Sequence, residues 1–167
     1  MNANPARVLL LNNDQIERKL VRMAWQIWEH NSNRQSVTLV GIRHGGAALA
    51  TRLAEELRRI SPLSIAVVDL ELAKRDPLHT PVSLSAPITD KSVVLVDDVA
   101  NSGRTLLYAL QPIAATAPEK VLIAVLVDRK HKSFPVNPDI IGHQLATTLQ
   151  ETILVSVEPG LMEAWLE

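Results

Sequence analysis

The sequence predicts an α/β fold, with a central, mostly parallel sheet flanked by helices. Three observations carry that prediction. After an opening helix, the chain alternates strand, helix, strand, irregular segment, strand, helix, strand, the order that builds a parallel sheet. The strand-like stretches SVTLVGI and VLIAVLV are almost continuously apolar and rich in β-branched residues, as in strands covered on both faces. Hydrophobic residues make up 47% of the chain but aromatic residues only 3%, so the core is aliphatic. A length of 167 residues fits a single domain, residues 1–167, long enough to bury a real core.

The elements follow in order. Residues 14–30 carry Ile16, Leu20, Met23 and Ile27 at helical spacing. Asp14 can cap this helix, with Glu17 three residues on as in a capping box. Trp25 and Trp28 lie beside the stripe and are expected to pack, in the core or in a subunit contact. Residues 36–42 read as a buried strand, and Arg43-His44-Gly45-Gly46 leads into a helix over 47–60 that Pro62 ends. A second strand spans 64–72. Residues 73–91 hold Pro77, Pro81 and Pro87 with little periodicity, the mark of a long loop of the kind that forms lids. A strand over 92–96, a helix over 103–115 and a strand over 121–127 come next. Residues 128–139 form a polar loop, and extended segments at 140–142 and 152–157 complete the sheet. The last residues, EPGLMEAWLE, are expected to form a helical turn.

Composition excludes several classes of function. The formal charge of −1 gives no global field for nucleic acid. The absence of cysteine removes disulfides, thiolate catalysis and cysteine zinc sites. No secretory signal layout and no run of 18 apolar residues is present, so the expected compartment is the cytoplasm, with no membrane partner. His131 and His143 have no metal-ligand spacing to nearby carboxylates. His30 reads as a helix-end histidine favoured by the dipole, and Arg58-Arg59 as a solvated helix end.

One stretch carries chemistry: VVLVDDVANSGRT, residues 93–105. A strand ends in two adjacent carboxylates, and a helix N-terminus follows. In open α/β sheets, ligands bind outside the carboxyl ends of strands. The free N–H groups and positive dipole end of a helix form an anion site. Gly103 lets a backbone approach closely, and Ser102 and Thr105 add hydroxyl donors. The turn thus offers donors to a phosphate beside acceptors for vicinal hydroxyls or for water around Mg²⁺. A ribose 5-phosphate suits both halves. Helix capping explains one such aspartate, not two in a row.

The stretch resembles the phosphoribosyl pyrophosphate (PRPP) signature of type I phosphoribosyltransferases, and more closely that of the pyrimidine regulatory and uracil phosphoribosyltransferase family. VTLVGIRHGGAALATRLAEEL, VDLELAKRDPL and AVLVDRKHKSFPVNPDIIG resemble three further segments of that family in the same order. The resemblance implies the type I fold, with a small hood and a flexible loop. It implies that Asp97 and Asp98 bind the ribose hydroxyls, and that Asn101, Ser102, Gly103, Arg104 and Thr105 cradle the 5-phosphate. Arg43, His44, Gly45 and Gly46 fall on the pyrophosphate loop. Asp128 and Arg129 fall where the base is contacted, with backbone near Ile140, Ile141 and Gly142 closing the pocket and residues 128–150 part of the hood region. Arg75 and Asp76 fall on the flexible loop, residues 73–91. The implied reaction converts uracil to UMP with release of pyrophosphate and no residue assigned as general base. The implied cofactor is Mg²⁺, held mainly by PRPP, near Asp97 and Asp98. The implied assembly is a homodimer or higher oligomer, and regulators of this family bind messenger RNA.

The chain departs from the family pattern at three places. The pyrophosphate loop is Arg-His-Gly-Gly where the family has Lys-Thr-Arg-Gly, so one arginine is lost. Asn101 replaces a residue that is an aspartate in several purine enzymes, and an amide cannot act as a base, which points away from purines. Lys74 and Pro77 replace family residues in the flexible segment. Two other readings remain: an RNA-binding attenuator that senses nucleotides through the same pocket, and a phospho-accepting receiver domain. The receiver fits poorly, because 96 residues of α/β sequence precede the acidic pair and receivers carry theirs near the start.

Overall fold

A computed structural model describes residues 7–73, 81–148 and 150–167. Lys74, Arg75, Asp76, Pro77 and His79 lie outside the described residues. The elements are β1 (Val8–Leu11), α1 (Asn13–His30), β2 (Ser36–Ile42), α2 (Gly45–Ile60), β3 (Ser64–Glu71), β4 (Ser83–Leu84), β5 (Ser92–Ala100), α3 (Arg104–Ala114), β6 (Lys120–Arg129), β7 (Ile140–Leu145), β8 (Ile153–Glu158) and β9 (Leu161–Leu166).

The main sheet has six strands in the order β4-β3-β2-β5-β6-β7. All neighbours are parallel except β4, which runs antiparallel to β3. Side chains alternate across a strand, and β5 uses both faces. Val94 and Val96 join Leu39, Leu53, Leu57, Ile16 and Leu20 on the face covered by α1 and α2. Val93 and Leu95 join Val40, Leu106, Ala109 and Ile113 on the face covered by α3. That two-sided burial is why the strand reads as a continuous apolar run. At the amino ends of the strands, polar bonds hold the layers together. The Asn31 amide, fully buried, donates to Ile27 O at 2.8 Å and accepts from Ser92 Oγ at 2.5 Å.

Strand order creates a crevice. From β2 the chain crosses through α2 to β3 on one side; from β5 it crosses through α3 to β6 on the other. The strand order therefore reverses between β2 and β5, the place where doubly wound sheets open to a ligand at their carboxyl ends.

Several expectations are corrected. Helix α1 is capped by Asn12, whose Oδ1 accepts from Gln15 N and whose N–H donates to Gln15 Oε1, both at 2.9 Å. The capping box thus starts two residues before Asp14, and Glu17 instead pairs with Arg52 at 2.6 Å. Trp28 packs against the core, whereas Trp25 is 51% exposed. Strand β5 continues past the acidic pair to Ala100, so Asp97 and Asp98 lie among its last residues, as the sequence places them. Strand β6 continues to Arg129, so Asp128 and Arg129 end a strand rather than begin the loop expected over 128–139. Residues 152–157 do not finish the main sheet. Ile153–Glu158 instead form β8 of a separate antiparallel sheet, β1-β9-β8. The C-terminal segment is β9, not a helical turn: Pro159 and Gly160 make a two-residue turn, with Gly160 at φ 79°, and Glu158 pairs with Leu161. Met162 and Ala164 are buried at alternate positions, so pairing overrides the helix propensity of that segment. Within residues 81–91 of the expected loop, Ser83 and Leu84 form β4 at the sheet edge, and Ser85 N donates to Asp69 O at 2.9 Å. Asp90 accepts from the Ser36 and Thr38 hydroxyls of β2. No helix among the described residues is long and apolar enough to cross a membrane.

Candidate functional site

The crevice between β2 and β5 brings together two segments distant in sequence. The first is the turn after β2, with a cis peptide between Arg43 and His44. The second is the end of β5 with Asp97 and Asp98. They touch through glycines. A Cβ on Gly45 would stand 2.2 Å from Asp98 Oδ2, and one on Gly46 would stand 2.5 Å from Val96 O. At Gly46 the obstacle is backbone and at Gly45 it is the Asp98 side chain itself, so the N-terminus of α2 rests directly on the acidic pair.

Asp97 is 1% exposed, and its Oδ1 accepts from Asp98 N at 2.9 Å. Asp98 is half-buried, and its Oδ1 accepts from Val99 N at 2.8 Å. The chain then turns through residues 101–103 into α3. Gly103 sits at φ 85°, a conformation that glycine adopts without strain. Neither α2 nor α3 has a side-chain cap bond at its first turn. Two helix N-termini therefore present amide donors beside two carboxylates. Asp97, residues 99–105 and Leu106 enclose a cup of about 90 Å³. Ser102 Oγ accepts from Arg104 N at 3.3 Å. The Arg104 guanidinium lies 5.9 Å from the Tyr108 ring centroid, so this side chain follows α3 while its N–H remains at the turn. Asn101 is exposed, and Thr105 half-buried.

A second cavity, about 400 Å³, joins His44, Gly45, Ala48 and Asp98 to Val155 and Val157 of β8. The small sheet thus roofs the acidic pair. Arg43 is held to the side, 3.7 Å from both Asp69 and Glu71.

Across β6, Asp128 is 3% exposed. Its Oδ1 accepts from Lys132 Nζ at 2.5 Å and its Oδ2 from Gln144 Nε2 at 2.8 Å. The Arg129 guanidinium donates to Thr148 O. Ala100, Asp128 and Gln144 stand level in neighbouring strands. Ile140 and Ile141 instead pair with Ala124 and Val125, and a Cβ on Gly142 would meet Leu126 O at 2.5 Å. These three lie deeper in the sheet, so Gln144, not they, stands at the level of Asp128. Sequence reasoning missed Gln144, Lys132, Val155 and Val157. Their distance from the signature hid them, although residues 152–157 already read as an extended segment.

Among the described residues, no cluster of three or more histidines, cysteines or carboxylates could hold a metal ion by itself. A pair of carboxylates beside phosphate donors nevertheless suits Mg²⁺, which keeps most of its ligands from water and substrate oxygens.

A mostly parallel sheet opens at its switch point onto an acidic pair and two helix N-termini, which sets donors for an anion beside acceptors for hydroxyls. Comparison with known proteins gives the family. A model of the phosphoribosyl transferase domain matches residues 9–158. Bifunctional protein PyrR of Limosilactobacillus reuteri is 35% identical over 161 residues, covering 89% of this chain and 90% of that protein. Bifunctional protein PyrR of Streptococcus pneumoniae is 35% identical over 147 residues, 85% of each. Among solved structures, the hypoxanthine phosphoribosyltransferase of Trypanosoma cruzi superposes with a TM-score of 0.75 at 14% identity, over 93% of this chain and 94% of that one. This chain belongs to the phosphoribosyltransferase family, whose fold and PRPP signature it carries, and within it to the group of the PyrR proteins.

Proposed function

We propose that the protein transfers ribose 5-phosphate from PRPP to uracil, forming UMP and pyrophosphate. The observation that carries this reading is the contact of Gly45 and Gly46 with Asp97 and Asp98, which puts the start of α2 beside the acidic pair. Asp97 and Asp98 accept hydrogen bonds from the ribose 2- and 3-hydroxyls. The amides of residues 101–105, with the hydroxyls of Ser102 and Thr105, donate to the 5-phosphate. Negative charge grows on the departing pyrophosphate as the ribose gains oxocarbenium character. His44 and the N-terminus of α2 face that charge, and Arg43 joins them on leaving its partners Asp69 and Glu71. Asp98 would help hold a Mg²⁺ ion that arrives with PRPP, and the ion would supply further neutralisation of the leaving group. Asp128, Arg129 and Gln144 bound the base subsite, with Ile140, Ile141 and Gly142 supporting it from below, while Val155 and Val157 cover the side of the site at His44 and Asp98. Residues 73–91, including Arg75 and Asp76, serve as the closing loop that keeps water from PRPP. Asn101 offers no carboxylate as a base, which favours a pyrimidine. The protein works in the cytoplasm, as a homodimer or higher oligomer. Incubation with uracil, PRPP and Mg²⁺ is expected to yield UMP, and Asp98→Asn to weaken PRPP binding at least tenfold. No turnover with any common nucleobase would remove the enzyme reading, and unchanged PRPP affinity in the variant would remove the role of Asp98.

A second reading, RNA-binding attenuation, draws support from one surface. Arg18, Lys19 and Arg22 of α1 and His143 of β7 line an open cavity of about 430 Å³ with Leu10, Leu11 and Gln15. Arg22 is fixed there by bonds to Gln26, Ile141 O and Gly142 O at 2.8–2.9 Å. The cations crowd one another. Burial, then Arg22 and Arg18, lower the Lys19 pKa. Burial, then Lys19, lower that of His143. Such a patch suits a phosphate backbone despite a net charge of −1. Filter binding of a pyrimidine leader RNA is expected to saturate and to weaken steeply with salt, and Lys19→Gln to reduce that salt slope by about one. Binding indifferent to the variant would exclude this surface.

A further inference from the structure

The proposed reaction leaves one buried cation without a task. Lys132 lies in a polar loop, yet only 9% of its side chain is exposed, against 5% for its partner Asp128. Removing both charges from water carries a heavy desolvation cost, offset only where the pair and its remaining bonds are well satisfied. They are satisfied here. Lys132 Nζ donates to Asp128 Oδ1 at 2.5 Å and also to Arg129 O. Gln144 Nε2 donates to the other carboxylate oxygen at 2.8 Å. With a donor on each oxygen, the Asp128 carboxylate has one fixed orientation.

The same loop is fastened to the phosphate turn. Ser133 N and Phe134 N both donate to Ser102 O, at 3.0 and 3.1 Å. A Cβ on Gly103 would stand 3.5 Å from Lys132 Cδ and 3.3 Å from Phe134 O. The aliphatic stem of Lys132 therefore lies against the turn, and its head grips the end of β6. Ala100, the last residue of β5 before the turn, is level with Asp128 and Gln144. The lysine thus stands where the end of β6, the end of β7 and the phosphate turn meet.

We propose that Lys132 is a positioning residue that braces the base-facing end of β6 against the phosphate turn, setting the spacing between nucleobase and ribose phosphate. This rests on the two subsites assigned under the proposed function. The turn carries the sugar phosphate and β6 carries the base, on separate segments of chain. Transfer requires the base nitrogen and ribose C1 in near-attack geometry, where a misplacement of about 1 Å costs roughly a hundredfold in rate. The ion pair adds a rigid link between those segments.

Ribose 5-phosphate reports on the turn alone, whereas UMP spans both subsites. In Lys132→Met, ribose 5-phosphate is expected to bind within about threefold of wild type. UMP is expected to bind at least tenfold more weakly, with Lys132→Arg recovering part of the loss. Equal changes in both affinities, or no change in either, would overturn the proposal. If Lys132→Met does not fold, Asp128→Asn is compared with Asp128→Asn/Lys132→Met. Because Asp128→Asn has already broken the pair, the double variant is then expected to bind UMP within about threefold of the single one. Both are expected to bind it at least tenfold more weakly than wild type, with ribose 5-phosphate affinity little changed. A further tenfold loss in the double variant, or wild-type UMP affinity in either, overturns the brace. Wild-type protein that binds neither ligand refutes the subsites themselves and the brace with them, a result visible before any variant is made.

Discussion

Gly45 and Gly46 do different work although they are neighbours. A Cβ on Gly45 would collide with the end of the Asp98 side chain, whereas one on Gly46 would collide with the backbone at Val96 and Asp97. A side chain can swing away and a strand cannot. Gly45→Ala is therefore expected to weaken PRPP binding at least tenfold while melting close to wild type, since Asp98 must leave its bond to Val99 N. Gly46→Ala is expected to cost about 1–3 kcal/mol of stability, in the range of overpacking. Thermal melts and PRPP titration of both variants check this; equal melting of the two would contradict it. The acidic pair and its turn were legible in the sequence because their chemistry is local: strand, two carboxylates, glycine and hydroxyls in 13 consecutive residues. Lys132 and Gln144 were not, because each matters only through Asp128, and strand register alone brings Gln144 to it.

At the scale of elements, α1 does two jobs. Its inner face, with Ile16, Leu20, Met23 and Ile27, is buried, and this period was readable from sequence. Its outer face makes the cationic patch, which needs His143 from β7 and was not readable. Burial and Lys19 hold the His143 pKa below its ordinary 6.5, so the unfolded chain binds this proton more readily than the folded one. The stability involved is complete above about pH 6.5 and is lost as the pH falls through and below that value. His143→Gln is expected to flatten the decline in melting temperature between neutral and mildly acid pH, and unchanged pH dependence would count against the crowding. The strands of the small sheet were hardest to read. β1 has four residues, too few for a period, and β9 contains strong helix formers that only pairing with β1 and β8 turns into a strand.

At the scale of the molecule, the reversal of strand order between β2 and β5 explains why residues far apart in sequence form one site. The alternation of strands and helices predicted the sheet, but its strand order, and hence the crevice, is a tertiary fact. The main sheet supplies the acidic pair and helix N-termini; the small sheet roofs them with Val155 and Val157. Everything assigned to these parts converges on one reaction. The direct measurement is formation of UMP from uracil and PRPP with Mg²⁺, run beside hypoxanthine, guanine and adenine. The site described here predicts turnover with uracil and little with the purines. Purine turnover without uracil turnover, or saturable PRPP binding with no turnover of any base, would contradict it.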